Sequence, residues 1–135
     1  MHHRMLVVNA LLLAAVVAAA YWRLTNVTSP RQTPPADLFM QSVAAEDGTL
    51  GWQQLCPALQ AQLPREVLEQ YTQQFRADHA QSGQWLSIDH IGDSPRTDGG
   101  EIRVYVATAH APDGSTGQKT YVVQTQASGC IEAIQ

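Results

Sequence analysis

The 135-residue chain is long enough for one small domain and carries a formal net charge of −4 at pH 7. The charge is uneven, because the residues from Pro34 onward include five basic and twelve acidic side chains, a net of −7. An acidic domain of this kind lacks the basic surface that binds phosphates, so we expect no nucleic-acid partner.

An uncharged apolar run, residues 5–22, lies between Arg4 and Arg23. As a helix, this run extends about 27 Å, which is close to the hydrocarbon thickness of a bilayer. The run therefore predicts that residues 1–23 form a transmembrane anchor, with residues 5–22 in contact with the membrane.

The alternative for the same segment is a signal peptide. Three alanines at positions 18–20 form a small-residue cleavage site, and cleavage after Ala20 would release a secreted protein. Tyr21 and Trp22 favour the anchor, because aromatic residues lie at the headgroup level of a bilayer. We expect a single-pass protein of the cell membrane with an extracytoplasmic C-terminal domain, and secretion is the alternative.

Residues 24–35 are rich in Ser, Thr and Pro and predict a linker, so the extracytoplasmic domain is expected over residues 36–135. The spacing of apolar residues then predicts three helical pieces. These pieces cover residues 34–46, 50–59 and 64–81. Pro57 interrupts the second piece, because proline lacks the N–H that a helix interior needs.

From Trp85 onward apolar and polar residues alternate, which predicts strands. The predicted strands are 85–91, 101–111, 118–126 and 130–135. Three helical pieces followed by a meander predict an α+β domain, with helices packed on one face of a four-stranded antiparallel sheet.

The second strand has two distinct faces. We expect the face of Ile102, Val104 and Val106 to point into the core. Tyr105 and Arg103 then lie on the opposite, exposed face. The surface around Tyr105 is therefore a candidate for binding a protein partner or a second copy of the chain.

Cys56 and Cys130 are the two cysteines of the chain. In an exported domain, an even cysteine count favours one disulfide over two separate buried thiols. The spacing fits neither a CxxC redox pair nor a cysteine-based zinc site, and we expect no metal and no cofactor.

The order of elements resembles a known fold family. The residues that carry the resemblance are Phe39 and Val43 in the first helix, Trp52 and the segment 55–59 (Leu-Cys-Pro-Ala-Leu) in the second, and Val67, Leu68 and Tyr71 in the third. With the curved meander that follows, they resemble the small NTF2-like (cystatin-like) domains that bacteria tether outside the membrane. The resemblance implies a cone whose curved sheet wraps a helix and can leave a pocket. Members of the family include enzymes and binding domains, so fold alone does not supply function.

Two histidines are the weak catalytic candidates. If the apolar face of the second strand points inward, His110 lies at the mouth of the cone, and His90 is expected to join it from the first strand. With a nearby carboxylate they would form an acid–base pair. The competing interpretation is that both are ordinary polar residues at strand ends.

Three aromatic residues are candidates to line a pocket: Trp52, Tyr71 and Tyr121. Aromatic residues at regular spacing are more often core than ligand contacts. The pattern favours a non-catalytic, membrane-tethered binding domain for a partner protein or a small apolar ligand. The alternative is a small cavity enzyme of the NTF2-like type that uses His90 or His110 with a carboxylate.

Overall fold

A computed structural model describes residues 32–135, of which Thr33–Gln135 form one compact unit. The predicted membrane segment 5–22, the cleavage site at Ala20 and most of the linker 24–35 lie outside the described residues. Among the helices of residues 32–135, none is long and apolar enough to cross a membrane.

Within residues 32–135, four helices precede the strands: α1 Pro35–Ala45, α2 Gly48–Gln53, α3 Pro57–Gln62 and α4 Arg65–Ser82. The prediction of three pieces is wrong at Pro57, which begins a separate helix instead of interrupting one. Proline suits the first helical position, since the N–H that it lacks has no partner there anyway. Gly83 ends α4 in a left-handed conformation at φ 68°.

The strands follow as β1 Trp85–Pro95, β2 Glu101–His110, β3 Thr116–Thr125 and β4 Ile131–Ile134. They form one open antiparallel sheet in the order β1-β2-β3-β4. The predicted α+β class and the four-stranded antiparallel sheet are confirmed. β1 continues four residues past its predicted end, because a register shift between His90 and Gly92 leaves Ile91 as an extra residue and the ladder then resumes.

The core lies between α1 and one face of the sheet, and we call this face the inner face. Its buried members are Ala36, Phe39, Met40, Leu55, Tyr105, Val123 and Ile131. Helix α1 packs on β1 and β3, across the middle of the sheet. Burying this apolar surface is the main term that holds the helices to the sheet.

The prediction of which β2 face is buried is wrong. Tyr105 is only 2% exposed and belongs to the core, while Ile102, Val104 and Val106 lie half-buried on the outer face. The physical reason is Asp37 of α1, whose carboxylate accepts hydrogen bonds from Tyr105 and Arg103 and so allows their polar groups to be covered. Helix α1 therefore occupies the surface around Tyr105 that was expected to be free for a partner.

Cys56 and Cys130 form a disulfide, so this prediction is confirmed. The bond joins the start of α3 to the residue before β4. Beside it, the Cys56 N–H donates to the Ile131 carbonyl at 2.7 Å, and the Ile131 N–H donates to the Gln54 carbonyl at 2.9 Å. The segment between α2 and α3 therefore pairs with β4 along the edge of the sheet.

Gly48 sets the separation of α2 and α4. A Cβ atom at Gly48 would lie 2.8 Å from the backbone nitrogen of Glu69 and 2.8 Å from the carbonyl oxygen of Leu68. Because these are backbone atoms, they cannot move aside as a flexible side chain would. Only glycine permits this close approach, and the approach fixes the position of α4.

We expect replacement of both cysteines by serine to lower the free energy of unfolding by about 2–4 kcal/mol, since the disulfide closes a long loop. Urea denaturation of the full chain, followed by circular dichroism, measures the change. Reduction of the unmodified protein should give the same midpoint as the double variant. A midpoint that neither change moves would show that the disulfide does not stabilise the fold.

We expect Gly48→Ala to destabilise the protein by about 1–3 kcal/mol, because the added methyl group forces α2 and α4 apart. Gly92→Ala is the matched control, since a Cβ atom there meets nothing within 4 Å. The same denaturation experiment compares them. Equal midpoints for the two variants would contradict the close approach at Gly48.

Candidate functional site

Helix α4 stands away from the sheet. None of its eighteen residues is buried, and its large side chains Tyr71 and Phe75 are 60% and 56% exposed. The space between α4 and the inner face is a cleft of about 510 Å³. That volume is within the range of small-molecule sites, roughly 300–1,000 Å³.

One wall of the cleft comes from the apolar stripe of α4. Leu68, Tyr71 and Phe75 are three and four residues apart, and this spacing places them on one side of a helix. Val43 of α1 extends the same wall. The stripe therefore faces the sheet without touching it closely enough to be buried.

The other wall is the inner face of the sheet, and its centre is made of small residues. Ala107 and Ala109 of β2 lie beside Gly117 of β3, which pairs with Ala109. Leu86 and Tyr121 border this area. A Cβ atom at Gly117 meets nothing within 4 Å, so the small residues leave open space.

The C-terminal half of α4 is tied to the end of α1 through Glu46. Arg76 donates from Nη2 to the Glu46 carbonyl at 2.7 Å, and its Nε lies 3.7 Å from the carboxylate. His79 Nδ1 forms a hydrogen bond with the same carboxylate. Glu46 and His79 line the cleft, so this polar contact closes one part of it.

Lys119 is the remaining charged residue of the cleft wall. It pairs with Ala107 across the β2–β3 ladder. Its Nζ lies 4.9 Å from the centroid of the Tyr121 ring, which is a cation–π contact. The ammonium group therefore lies over the Tyr121 ring, and the Lys119 side chain is exposed to solvent.

A second, smaller cavity of about 290 Å³ lies beside α1 and includes Asp37, His90 and Tyr105 in its lining. Asp37 accepts from Tyr105 Oη at 2.5 Å and from Arg103 Nη1 at 2.8 Å. Burial, and then the hydrogen bond to Asp37, raise the pKa of Tyr105 well above its usual range. Tyr105 is thus a protonated donor and not a base.

His90 and His110 lie on opposite faces of the sheet, so the expectation that they meet at one mouth is wrong. His90 pairs with Tyr105 on the inner face, whereas His110 pairs with Trp85 on the outer face. In an antiparallel pair the residues opposite each other share a face. The apolar residues of β1 therefore lie on the same face of the sheet as Tyr105 of β2, and not on the face of Ile102.

Each histidine has a local partner. The His90 ring is 5.2 Å from the Tyr105 ring, and its Nε2 is 3.0 Å from the Gly92 carbonyl oxygen. The His110 ring stacks on Trp85 at 3.9 Å, and its Nε2 is 2.9 Å from Ser87 Oγ. These contacts give neither ring a carboxylate at hydrogen-bond distance, since Asp93 is 4.0 Å from His90.

The three aromatic candidates separate into two groups. Tyr71 and Tyr121 line the cleft from opposite walls. Trp52 packs against the core, and its Nε1 donates to the Leu63 carbonyl at 3.0 Å. Tyr71 and Tyr121 therefore both belong to the cleft, and Trp52 does not.

Sequence reasoning missed the residues that make the space and the charge of the cleft. Alternation places Ala107 and Ala109 on the Tyr105 face of the predicted strand 101–111, but it does not show that Gly117 lies beside them. Lys119 falls in the predicted strand 118–126, and no role in a pocket is expected for it there. A signal did exist, because Lys119 shares the alternation phase of Tyr121 on β3 and so had to share its face.

Within residues 32–135, no group of three or more His, Cys, Asp or Glu side chains is arranged to hold a metal ion. No protein-family model matches the chain, and a comparison with curated proteins found no match to it.

We expect the double substitution Tyr71→Ala and Phe75→Ala to change the free energy of unfolding by less than about 1 kcal/mol, since both side chains are already largely exposed. Phe39→Ala is the control for a buried aromatic and should cost about 3–5 kcal/mol. Thermal or urea unfolding compares them. A large loss from the cleft pair would show that these residues serve the core.

Proposed function

We propose that this protein is a membrane-tethered extracytoplasmic binding domain that holds a small apolar ligand in the cleft between α4 and the sheet. The observation that carries the proposal is the exposure of Tyr71 and Phe75, which face Tyr121 across about 510 Å³ of open space. Apolar side chains arranged around a concave space gain free energy when a ligand replaces water there.

The tether and the compartment rest on the N-terminal segment and on the disulfide. Residues 5–22 are apolar and uncharged over a length that suits a membrane helix. A disulfide is typical of oxidising compartments outside the cytoplasm, and Cys56 and Cys130 supply one. Both observations support a domain that works on the outer side of a membrane.

We also propose that the domain belongs to the NTF2-like family. Two features support this family: the helices precede an antiparallel meander, and a pocket lies between a helix and the sheet. The resemblance implies a ligand cavity but not a reaction, since such cavities serve both binding and catalysis.

The alternative, a cavity enzyme that uses His90 or His110, receives less support from the geometry. The two rings lie on opposite faces, and neither lines the larger cleft. A general acid or base must lie within hydrogen-bond reach of the reacting group. His90 would have to act from the smaller cavity beside Tyr105.

Photolabelling of the full chain in its membrane tests the binding function. The probe is a decanol analogue with a diazirine near the end of its chain, and mass spectrometry maps the label. We expect labelling of the peptide between Arg65 and Arg76, which carries Tyr71 and Phe75. Gly117→Leu should reduce this labelling about tenfold, because the new side chain fills the cleft.

Gly92→Leu is the matched control, since it adds the same side chain to open space away from the cleft lining. It should leave the labelling unchanged. Equal labelling of both variants, or no label in the peptide that carries Tyr71, would overturn the proposed function.

A further inference from the structure

We propose that the ligand is an amphiphilic carboxylate, whose acid group pairs with Lys119 and whose apolar chain lies in the cleft. This inference rests on the proposed function, because it names the ligand class of the same site.

The distribution of charge within residues 32–135 points to an anionic ligand. All four arginines of residues 32–135 lie close to carboxylates of the chain. The pairs are Arg65–Glu69 at 3.3 Å, Arg76–Glu46 at 3.7 Å, Arg96–Asp98 at 2.6 Å and Arg103–Asp37 at 2.8 Å. Among the Lys and Arg residues in that range, Lys119 is the one outside every ion pair. The domain has twelve carboxylates, yet Lys119 has no carboxylate partner, and Lys119 lies on the cleft wall.

The surroundings of Lys119 leave its ammonium group available to a ligand. Its nearest neighbours on the inner face are Ala107, Gly117 and Tyr121. None of these side chains can accept a hydrogen bond from the ammonium except through the Tyr121 hydroxyl. The cation–π contact at 4.9 Å orients the ammonium and leaves its N–H donors available.

The part of the cleft next to Lys119 suits the apolar chain of such a ligand. Next to Lys119 the small residues Ala107, Ala109 and Gly117 form a floor without bulky side chains. Tyr71 and Phe75 face that floor from α4. A ligand with its acid at Lys119 would therefore lay its apolar chain between the floor and the two aromatic rings.

The other charged groups of the cleft fit the same ligand. The Glu46 carboxylate already has two partners, since Arg76 Nε lies 3.7 Å from it and His79 Nδ1 forms a hydrogen bond with it. A cationic amphiphile would find no carboxylate free of a partner among the lining residues, and it would be repelled by Lys119. A neutral ligand would leave Lys119 without a role.

The test compares two photoprobes of equal length on the full chain in its membrane, a diazirine analogue of decanoic acid and the matching alcohol. We expect the acid to label the Arg65–Arg76 peptide up to about fivefold more than the alcohol, which is the upper end of the effect of a solvent-exposed ion pair. Lys119→Met should reduce acid labelling to the level of the alcohol. Lys119→Arg should preserve the preference.

Two further variants control for charge and stability. Arg65→Met removes the same unit of charge outside the cleft lining and should leave the acid preference intact. Lys119→Glu should reverse the preference, so that the matching decylamine probe labels up to about fivefold more than the acid. High salt should weaken both preferences, since exposed charges are screened.

The outcomes separate this inference from the function on which it rests. One outcome is cleft labelling that Gly117→Leu removes but that is equal for the acid and the alcohol and unchanged in Lys119→Met. This outcome overturns the proposal of a carboxylate ligand and supports the binding function. No cleft labelling by either probe overturns both. A stable dimer whose contact covers Tyr71 and excludes both probes would assign the cleft to a second copy and overturn both as well.

Discussion

The contact of Asp37 with Arg103 and Tyr105 determines which part of the sheet is covered. It brings the first turn of α1 onto β2 and allows a tyrosine and an arginine to lie against an apolar layer. Without Asp37, the Arg103 guanidinium would keep only Glu101 as its partner, and the Tyr105 hydroxyl would lose its acceptor, which is destabilising for a covered polar group. Helix α1 is thereby fixed over one half of the inner face. The other half, around Ala109, lies opposite α4 across the cleft.

The position of α4 follows from contacts at other points than the sheet. Gly48 lets the backbone of α2 approach α4 at Leu68, and Arg76 reaches the end of α1 at Glu46. Both contacts hold the helix from its sides. The apolar stripe of α4 can therefore stay exposed without the helix coming loose, and a ligand can enter without displacing any core residue. Glu46 and Leu68 take part in these contacts and also line the cleft, whereas Tyr71 and Phe75 line it while remaining largely exposed.

Periodicity was enough to predict most elements, because helical and alternating patterns reflect burial on one side. Periodicity failed where a single residue determined where a helix or strand begins or ends. Pro57 suits a helix start as well as a break, and a bulge at Ile91 restarts the ladder beyond the predicted end of β1. The sequence could not show which face of β2 is buried, since alternation separates the two faces without showing which one a helix covers. Only the distant partner Asp37 settles this point. Tyr71 and Tyr121 were recognisable as pocket candidates, but the width of the cleft depends on Gly48, which no pattern reports.

The extra residue at Ile91 also bears on how the protein avoids aggregation. β1 is the first strand of the sheet order and is eleven residues long, so its outer edge is a row of backbone groups that another chain could extend. The bulge interrupts that row in its middle, and the charged Asp89 and Asp93 lie on either side of it. A strand that bends and carries charges at its bend pairs poorly with a second copy of itself. This edge therefore resists intermolecular β-pairing, although the protein exposes aromatic side chains elsewhere.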